Sequence, residues 1–299
     1  MTTREPSLIA KRPYGTTGIY VSALGLGAAQ IGDPKHSESE VADVLNAALD
    51  TGCTLIDTAP SYGISEERIG RHLAARRHDM VLSTKLGYGI DGIEAWTGPC
   101  ITAGVERALK RMRVTHIDIA HLHSCPHSTL ARGEVIDALD RAKRDGKIRA
   151  MAYSGDNEDL QYAVNCGRFD GFMASLNLCD QRVITDVLPH VTGKGFIAKR
   201  AAANHPWRFD VRPVGDYCET YWQRWRTMNI DPFGLKWGEL AIRFSSQTLG
   251  VSGAIVGTAS AARMAENIKW IATGPLPAPL YAAVRDAFEQ RGEFWRGEV

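Results

Sequence analysis

The sequence of 299 residues predicts an α/β chain folded as a (β/α)8 TIM barrel, and three observations carry that reading. Short apolar runs that fit buried strands alternate with amphipathic helical stretches eight times along the chain. Three successive runs end in a residue suited to chemistry: Leu55-Ile56-Asp57, Met80 to Thr84 followed by Lys85, and Ile117 to His123. Parallel α/β folds collect ligands and chemistry at that end of their strands. Finally, Gly27-Ala28-Ala29-Gln30 after the first strand is not a Gly-x-Gly-x-x-Gly turn, so an open dinucleotide-binding sheet is not indicated.

The elements follow in order. Residues 1–12 read as a loose arm, and Tyr14 to Val21, with two glycines, as a small hairpin under the barrel. Val21 to Gly27 is the first strand; the small residues at its end, Gly27 included, let backbone approach a ligand. Ser37 to Thr51 is a helix whose apolar residues Val41, Val44, Leu45, Ala48 and Leu49 repeat at helical spacing. Leu55 to Asp57 is the second strand. The loop after it presents Tyr62, and Ser65, Glu66 and Glu67 suit a helix N-terminus because a hydroxyl cap and early acids satisfy free N–H groups. That helix runs from Glu66 to Ala75. Met80 to Thr84 is the third strand, and the glycine-rich stretch Leu86 to Gly98, with Tyr88 and Trp96, is a loop over the barrel mouth. Cys100 to Met112 is a helix, Ile117 to His123 a strand, Glu134 to Arg144 a helix, Ile148 to Ser154 a strand and Glu158 to Cys166 a helix. Gly171 to Leu176 is the sixth strand; its helix runs through Leu188, where Pro189 stops it. After the seventh strand, Gly195 to Ala198, the stretch Lys199 to Pro232 is too long for an ordinary connection. It reads as a functional loop with some helix of its own. Leu235 to Ser246 is a helix, Gly253 to Gly257 the eighth strand and Ala261 to Ile271 its helix. Leu280 to Gln290 is an extra C-terminal helix. Neither a repeat nor a linker divides the chain, so residues 1–299 are expected to form one domain.

Composition bounds the function. Hydrophobic content of 44% with 23% charged residues is that of a soluble globule. A net charge of +1 argues against a broad grip on nucleic acid or anionic membrane. The six cysteines form no Cys-x-x-Cys pair, which argues against a zinc ribbon or thioredoxin-like site, and no metal is expected. The polar start, Met1 to Arg12, lacks the core of a secretory signal, and no apolar run is long enough for a bilayer. A cytoplasmic protein with reduced thiols is the expectation.

The strand-end residues suggest an acid–base device. A carbonyl that receives a hydride must also receive a proton, and Tyr62 can give it if a nearby ammonium stabilises the phenolate. Lys85 can supply the ammonium, and Asp57 can keep it charged. His123 can polarise the oxygen through a neutral imidazole N–H. Residues two apart on a strand share a face, so His121 is expected one layer lower, as a hydrogen-bonded interior histidine.

Asp57, Tyr62, Lys85 and His123, in this chain order, resemble the catalytic tetrad of the aldo-keto reductase family. The resemblance runs from Tyr14-Gly15-Thr16-Thr17-Gly18 to Ala265-Glu266-Asn267; each motif is weak alone, and four in order are specific. It implies a reductase of aldehydes, ketones or sugars, or the reverse oxidation of an alcohol. No residue of the tetrad supplies hydride, so a nicotinamide is needed. NADP(H) is favoured and NAD(H) is the alternative. The resemblance assigns the carboxamide contact to Ser154, with Gly155 where an asparagine is usual and Asn157 as a substitute. Met173 stands where the family has glutamine, and Lys199-Arg200 where an aromatic stacks on the nicotinamide. Lys199 and Arg200 suit a pyrophosphate or an acidic substrate, or else a structural ion pair. Gly257 and Thr258 open a helix N-terminus fit for an anion; the family's lysine is absent at Gly257. Arg263 is the family's 2′-phosphate position, and Glu266 and Asn267 match its adenine-side contacts. Gln30, Tyr88, Trp96 and Trp207 are the candidate substrate contacts. Two alternatives stay open: a lyase using Lys85 as a Schiff-base nucleophile, and a non-enzymatic module that binds a nicotinamide to report redox state. The substrate, the favoured direction and the oligomeric state are not specified by the sequence.

Overall fold

The computed structural model describes residues 9–292 and 294–298. The arm expected over residues 1–12 lies outside the described residues as far as residue 8. Beyond it the expectation is corrected: Ile9 is buried, and Arg12 reaches Gln247 Oε1 at 2.5 Å and the carbonyl of Val251 at 3.3 Å. Strand β1 (Lys11–Pro13) pairs antiparallel with β2 (Tyr20–Ser22). The hairpin carries Tyr14 under the barrel. A Cβ on Gly171 would sit 2.2 Å from Tyr14 Oη, and one on Gly195 2.2 Å from the Tyr14 ring, so only glycine at those two positions lets Tyr14 close the floor.

Eight parallel strands form the closed barrel: β3 (Leu24–Gly27), β4 (Leu55–Asp57), β5 (Val81–Leu86), β6 (Ile117–His123), β7 (Ile148–Ser154), β8 (Gly171–Ser175), β9 (Gly195–Lys199) and β10 (Gly253–Gly257), with β10 returning to β3. The two-residue side-chain period sorts each strand. One set of alternate residues fills the barrel interior, in a cluster of Tyr14, Ile19, Val21, Leu55, Val81, Ile119, Ala150, Ala152, Met173, Ile197 and Ile255. The other set packs outward against the helices. The interior set continues upward in polar residues: Asp57 above Leu55, Ser83 and Lys85 above Val81, His121 and His123 above Ile119. The register aligns them, with Asp57 opposite Ser83, Lys85 opposite His121 and His123 opposite Ser154.

The surrounding helices are α1 (Glu38–Asp50), α2 (Ser65–Leu73), α3 (Gly98–Met112), α4 (His127–Ala131), α5 (Glu134–Arg144), α6 (Asn157–Asn165), α7 (Arg182–Asp186), α8 (Glu219–Met228), α9 (Trp237–Gln247), α10 (Ala261–Ala272) and α11 (Ala278–Arg291). Helix α1 starts on a capping box, with Glu40 N–H donating to Ser37 Oγ and Ser37 N–H to Glu40. Ser65 does not cap α2, contrary to expectation. Its hydroxyl donates to Ala28 O at 2.8 Å and accepts from Thr58 Oγ1 at 2.8 Å, tying the ends of β3 and β4 to the helix. The helix expected after the sixth strand shrinks to α7, because Asn177 and Asp180 first close a turn by exchanging backbone bonds of 3.0 and 3.2 Å. The long stretch after β9 carries its own helix, α8, as its length suggested. Among the described residues no helix is long and apolar enough to cross a membrane.

Candidate active site

The end of β4 carries Asp57 and the end of β5 carries Lys85, both buried. Lys85 Nζ lies 2.6 Å from Asp57 Oδ2 and donates to Thr58 O at 2.8 Å. The other Asp57 oxygen accepts from Ser83 Oγ at 2.7 Å, and Ser83 lies 3.1 Å from His121 Nε2. The carboxylate is therefore fixed from two sides. Burial works against the Lys85 charge, but Asp57 and Tyr62 outweigh it and raise its pKa. Lys85 is an ammonium at neutral pH, which opposes the Schiff-base reading.

Tyr62 meets that ammonium from the loop after β4, with Lys85 Nζ 5.0 Å from the centroid of its ring. The loop is held backbone to backbone. Ile64 N–H donates to Gly32 O at 3.2 Å, a Cβ on Gly32 would stand 1.8 Å from Tyr62 O, and Gly63 takes φ +53 with a Cβ position 2.3 Å from Gly32 O. Two glycines thus permit the close approach that sets Tyr62.

His123 ends β6 half-buried, with the Tyr62 ring edge-on at 6.5 Å between centroids. Burial, then Lys85 and Lys199, push its pKa down to about 3; burial and Lys85 also hold His121 well below the usual range. Both rings are neutral when folded. The unfolded chain takes up their protons near pH ~6.5. Below that pH the unfolded state binds more protons than the folded one, so stability falls as pH drops, by about 1.4 kcal/mol per pH unit for each histidine. Denaturant unfolding from about pH 7 to about pH 5 should show this slope, and His123→Gln should remove one histidine's share of it.

These side chains share a cavity of about 340 Å³. Gly27, Gln30, Asp57, Tyr62, Lys85 and His123 line one side; Ser154, Met173, Lys199, Arg200 and Gly257 line the other. The residues suit a nicotinamide cofactor in several respects. Ser154 Oγ is buried with no hydrogen-bond partner, and such a hydroxyl normally finds one. Gly27 has only ordinary contacts at its Cβ position. Thr258 is buried beside the first turn of α10, where Ser260 Oγ caps Arg263 N–H and Arg263 is exposed. Asn267 Oδ1 is buried without a partner. A Cβ at Gly257 would meet the Gln30 amide at 2.4 Å, so this chain puts Gln30 where a longer side chain at Gly257 would have to pass.

Other expected residues are engaged elsewhere. Lys199 lines the cavity but pairs with Asp156 at 2.7 Å, the structural ion pair weighed above. Arg200 bonds Tyr217 Oη at 2.6 Å, Ser175 Oγ at 3.2 Å and the carbonyl of Glu298. Asn157 turns away from the cavity, its amide exchanging bonds of 2.9 and 2.8 Å with Gly297. Glu266 is held by Lys236 at 2.6 Å. Of the four candidate substrate contacts, Gln30 lines the cavity. Trp207 stacks on Trp237, while Trp96 packs on Tyr88, which in turn meets His123. The wall also includes Asn204, His205 and Tyr217, which sequence reasoning missed. Their only signal was the excess length of the stretch after β9. Among the described residues no group of three or more His, Cys, Asp or Glu is placed to hold a metal.

Comparison with known proteins places this geometry among relatives. A family model described as the aldo/keto reductase family matches residues 23–289. L-galactose dehydrogenase of Arabidopsis thaliana is 26% identical over 288 residues, covering 87% of each chain. D-threo-aldose 1-dehydrogenase of a Pseudomonas species is 27% identical over 333 positions, covering 96% of this chain and 98% of its own. A solved aldo-keto reductase structure from Pseudomonas aeruginosa is 29% identical with a TM-score of 0.71, over 91% of this chain and 98% of that one. A holo-form aldo-keto reductase of Bacillus halodurans shares the fold at 22% identity, with a TM-score of 0.82 over 93% and 96% of the two chains.

Proposed function

The chain belongs to the aldo/keto reductase family, and from that premise we propose that it is an NADP(H)-dependent oxidoreductase interconverting a carbonyl and an alcohol with Tyr62 as general acid and base. The observation that carries the reading is the buried Asp57–Lys85 pair against the Tyr62 ring, at 2.6 Å and 5.0 Å. A bound nicotinamide supplies or accepts the hydride. Everything else falls to this chain. Tyr62 Oη gives its proton to the carbonyl oxygen on reduction and takes it from the hydroxyl on oxidation. Lys85 stabilises the phenolate at the moment the proton is away. Asp57, fixed by Ser83, keeps Lys85 charged. Neutral His123 orients and polarises the oxygen.

Ser154, Thr258, Arg263 and Asn267 would hold the cofactor, with Gly27 and Gly257 in the cavity wall beside it. Arg200 would add positive potential beside its phosphates, while Asp156 balances the charge of Lys199. Arg263 is the basis for preferring NADP(H), since an exposed guanidinium at a helix N-terminus suits a phosphate monoester. Arg263→Ala should weaken NADPH binding by roughly 10- to 100-fold, the worth of a hydrogen bond to a charged group, and leave NADH binding within twofold or so. Fluorescence-quench titration with both cofactors reads this; equal losses would remove the 2′-phosphate role.

Two relatives matched over most of the chain are named as dehydrogenases of L-galactose and of D-threo-aldoses, so aldoses come first in a substrate panel. The decisive assay follows reduced-nicotinamide absorbance with aldoses and NADP+ or NAD+, and with aldehydes and NADPH or NADH. Substrate-dependent change supports the oxidoreductase reading. Tight NADPH binding with no turnover across the panel favours a sensing module instead.

A further inference from the structure

Tyr88 is not explained by the chemistry above. It does not line the cavity, yet the loop after β5 is built to hold it. A Cβ on Gly87 would sit 2.1 Å from the Trp96 ring, and Trp96 N–H donates to Gly87 O at 2.8 Å. Trp96 takes φ 63 there, a strained conformation for a bulky residue, and its ring meets the edge of Tyr88 at 6.0 Å. From below, Arg107 reaches the carbonyls of Tyr88 and Gly89. The Tyr88 hydroxyl has two partners, Ser61 Oγ at 3.0 Å and His123 Nδ1, and its ring is tilted against the imidazole with centroids 5.6 Å apart. His123 Nε2 has no hydrogen-bond partner among the described residues.

We propose that Tyr88, backed by Ser61, is a positioning residue that donates its hydroxyl proton to His123 Nδ1 and so fixes the imidazole as the tautomer with N–H at Nε2, the nitrogen left free for the substrate oxygen. Two proton orders fit the chain of three groups. Either Ser61 O–H donates to Tyr88 and Tyr88 O–H to Nδ1, or Nδ1–H donates to Tyr88 and Tyr88 O–H to Ser61. A phenol is a good donor and a neutral imidazole nitrogen a good acceptor, which favours the first. Burial raises the Tyr88 pKa, so its proton stays available to donate. The first order leaves a donor at Nε2; the second leaves an acceptor, which cannot polarise a carbonyl. The hydrogen bond that one ring nitrogen makes decides what the other can do. The role rests on the carbonyl chemistry proposed above, but the tautomer itself does not depend on it.

The test is imidazole nitrogen NMR on protein labelled at histidine, with His123 assigned by its missing signals in His123→Gln. The wild type is expected to show His123 protonated at Nε2. In Tyr88→Phe, Nδ1 should lose its hydrogen bond and the signals should average toward a mixture of tautomers; Ser61→Ala should move Nδ1 less. A wild type protonated at Nδ1, or a Tyr88→Phe spectrum unchanged at His123, overturns the proposal. The turnover arm uses whichever aldose or aldehyde the panel yields: Tyr88→Phe should lower kcat about 3- to 10-fold, the worth of one neutral hydrogen bond, with KM little changed. A tautomer that responds as expected in a protein that turns over no carbonyl would count against the oxidoreductase reading and leave the assignment of Tyr88 standing.

Discussion

Tyr62→Phe is expected to lower substrate-dependent turnover by roughly 10²- to 10⁴-fold, the usual worth of a placed general acid or base, while cofactor binding stays within a few-fold. The substitution removes one oxygen and little volume. The backbone hold on the loop, through Gly32 and Gly63, does not involve the phenol hydroxyl. Lys85 keeps Asp57 at 2.6 Å and Thr58 O at 2.8 Å as partners, so no buried charge is stranded. What is lost is the proton at Oη, with nothing in its place: His123, at a pKa of about 3, carries no spare proton at neutral pH. Steady-state rates beside NADPH quench titrations separate the possibilities. Retained turnover would take the proton role from Tyr62. Lost cofactor binding would make it a packing residue.

The barrel and the convergence of Asp57, Tyr62, Lys85 and His123 on one cavity were legible because each left a local mark. A strand that ends in Asp, Lys or His breaks an apolar run at one position, and the period of two then puts His121 inside beneath His123. The contact of His121 with Ser83, and of Ser83 with Asp57, follows from register, which a single strand does not carry. The cofactor side was less legible for a physical reason. Asn157 and Arg200 were read for a ligand, but Gly297 and Glu298 bind them from more than 90 residues away along the chain, and no local pattern encodes so distant a partner. Lys199 shows the same limit, since only the fold brings Asp156 to it. Ser65 was misread by the opposite error. Its place before two acids is a good helix cap by local rules, but the ends of β3 and β4 compete for the hydroxyl and win. Tyr88 was picked out as an aromatic residue over the mouth; that its hydroxyl points at His123 depends on the fold of Trp96 back over Gly87.

Breaking the Asp57–Lys85 pair is expected to cost both stability and activity, and the two losses can be separated. Lys85→Met leaves a carboxylate in the barrel with Ser83 as its remaining partner, and Asp57→Asn leaves an ammonium with Thr58 O and the Tyr62 ring. Removing one member of a buried pair costs about 3–5 kcal/mol because the other charge stays desolvated. For a chain of this size that lowers Tm by roughly 5–8 °C. The double variant Asp57→Asn/Lys85→Met strands no charge, so it should recover most of the thermal stability lost by either single variant. It should recover no turnover, because the ammonium facing Tyr62 is gone. Thermal unfolding and initial rates across the four proteins give both answers. If the double variant is no more stable than the singles, the pair is a packing element rather than a charge balance. If it regains activity, the phenol needs no ammonium and the proposed proton path through Tyr62 fails. Stability restored with chemistry absent is the outcome this geometry requires, since the pair's attraction offsets its own burial while only the Lys85 ammonium faces the phenol.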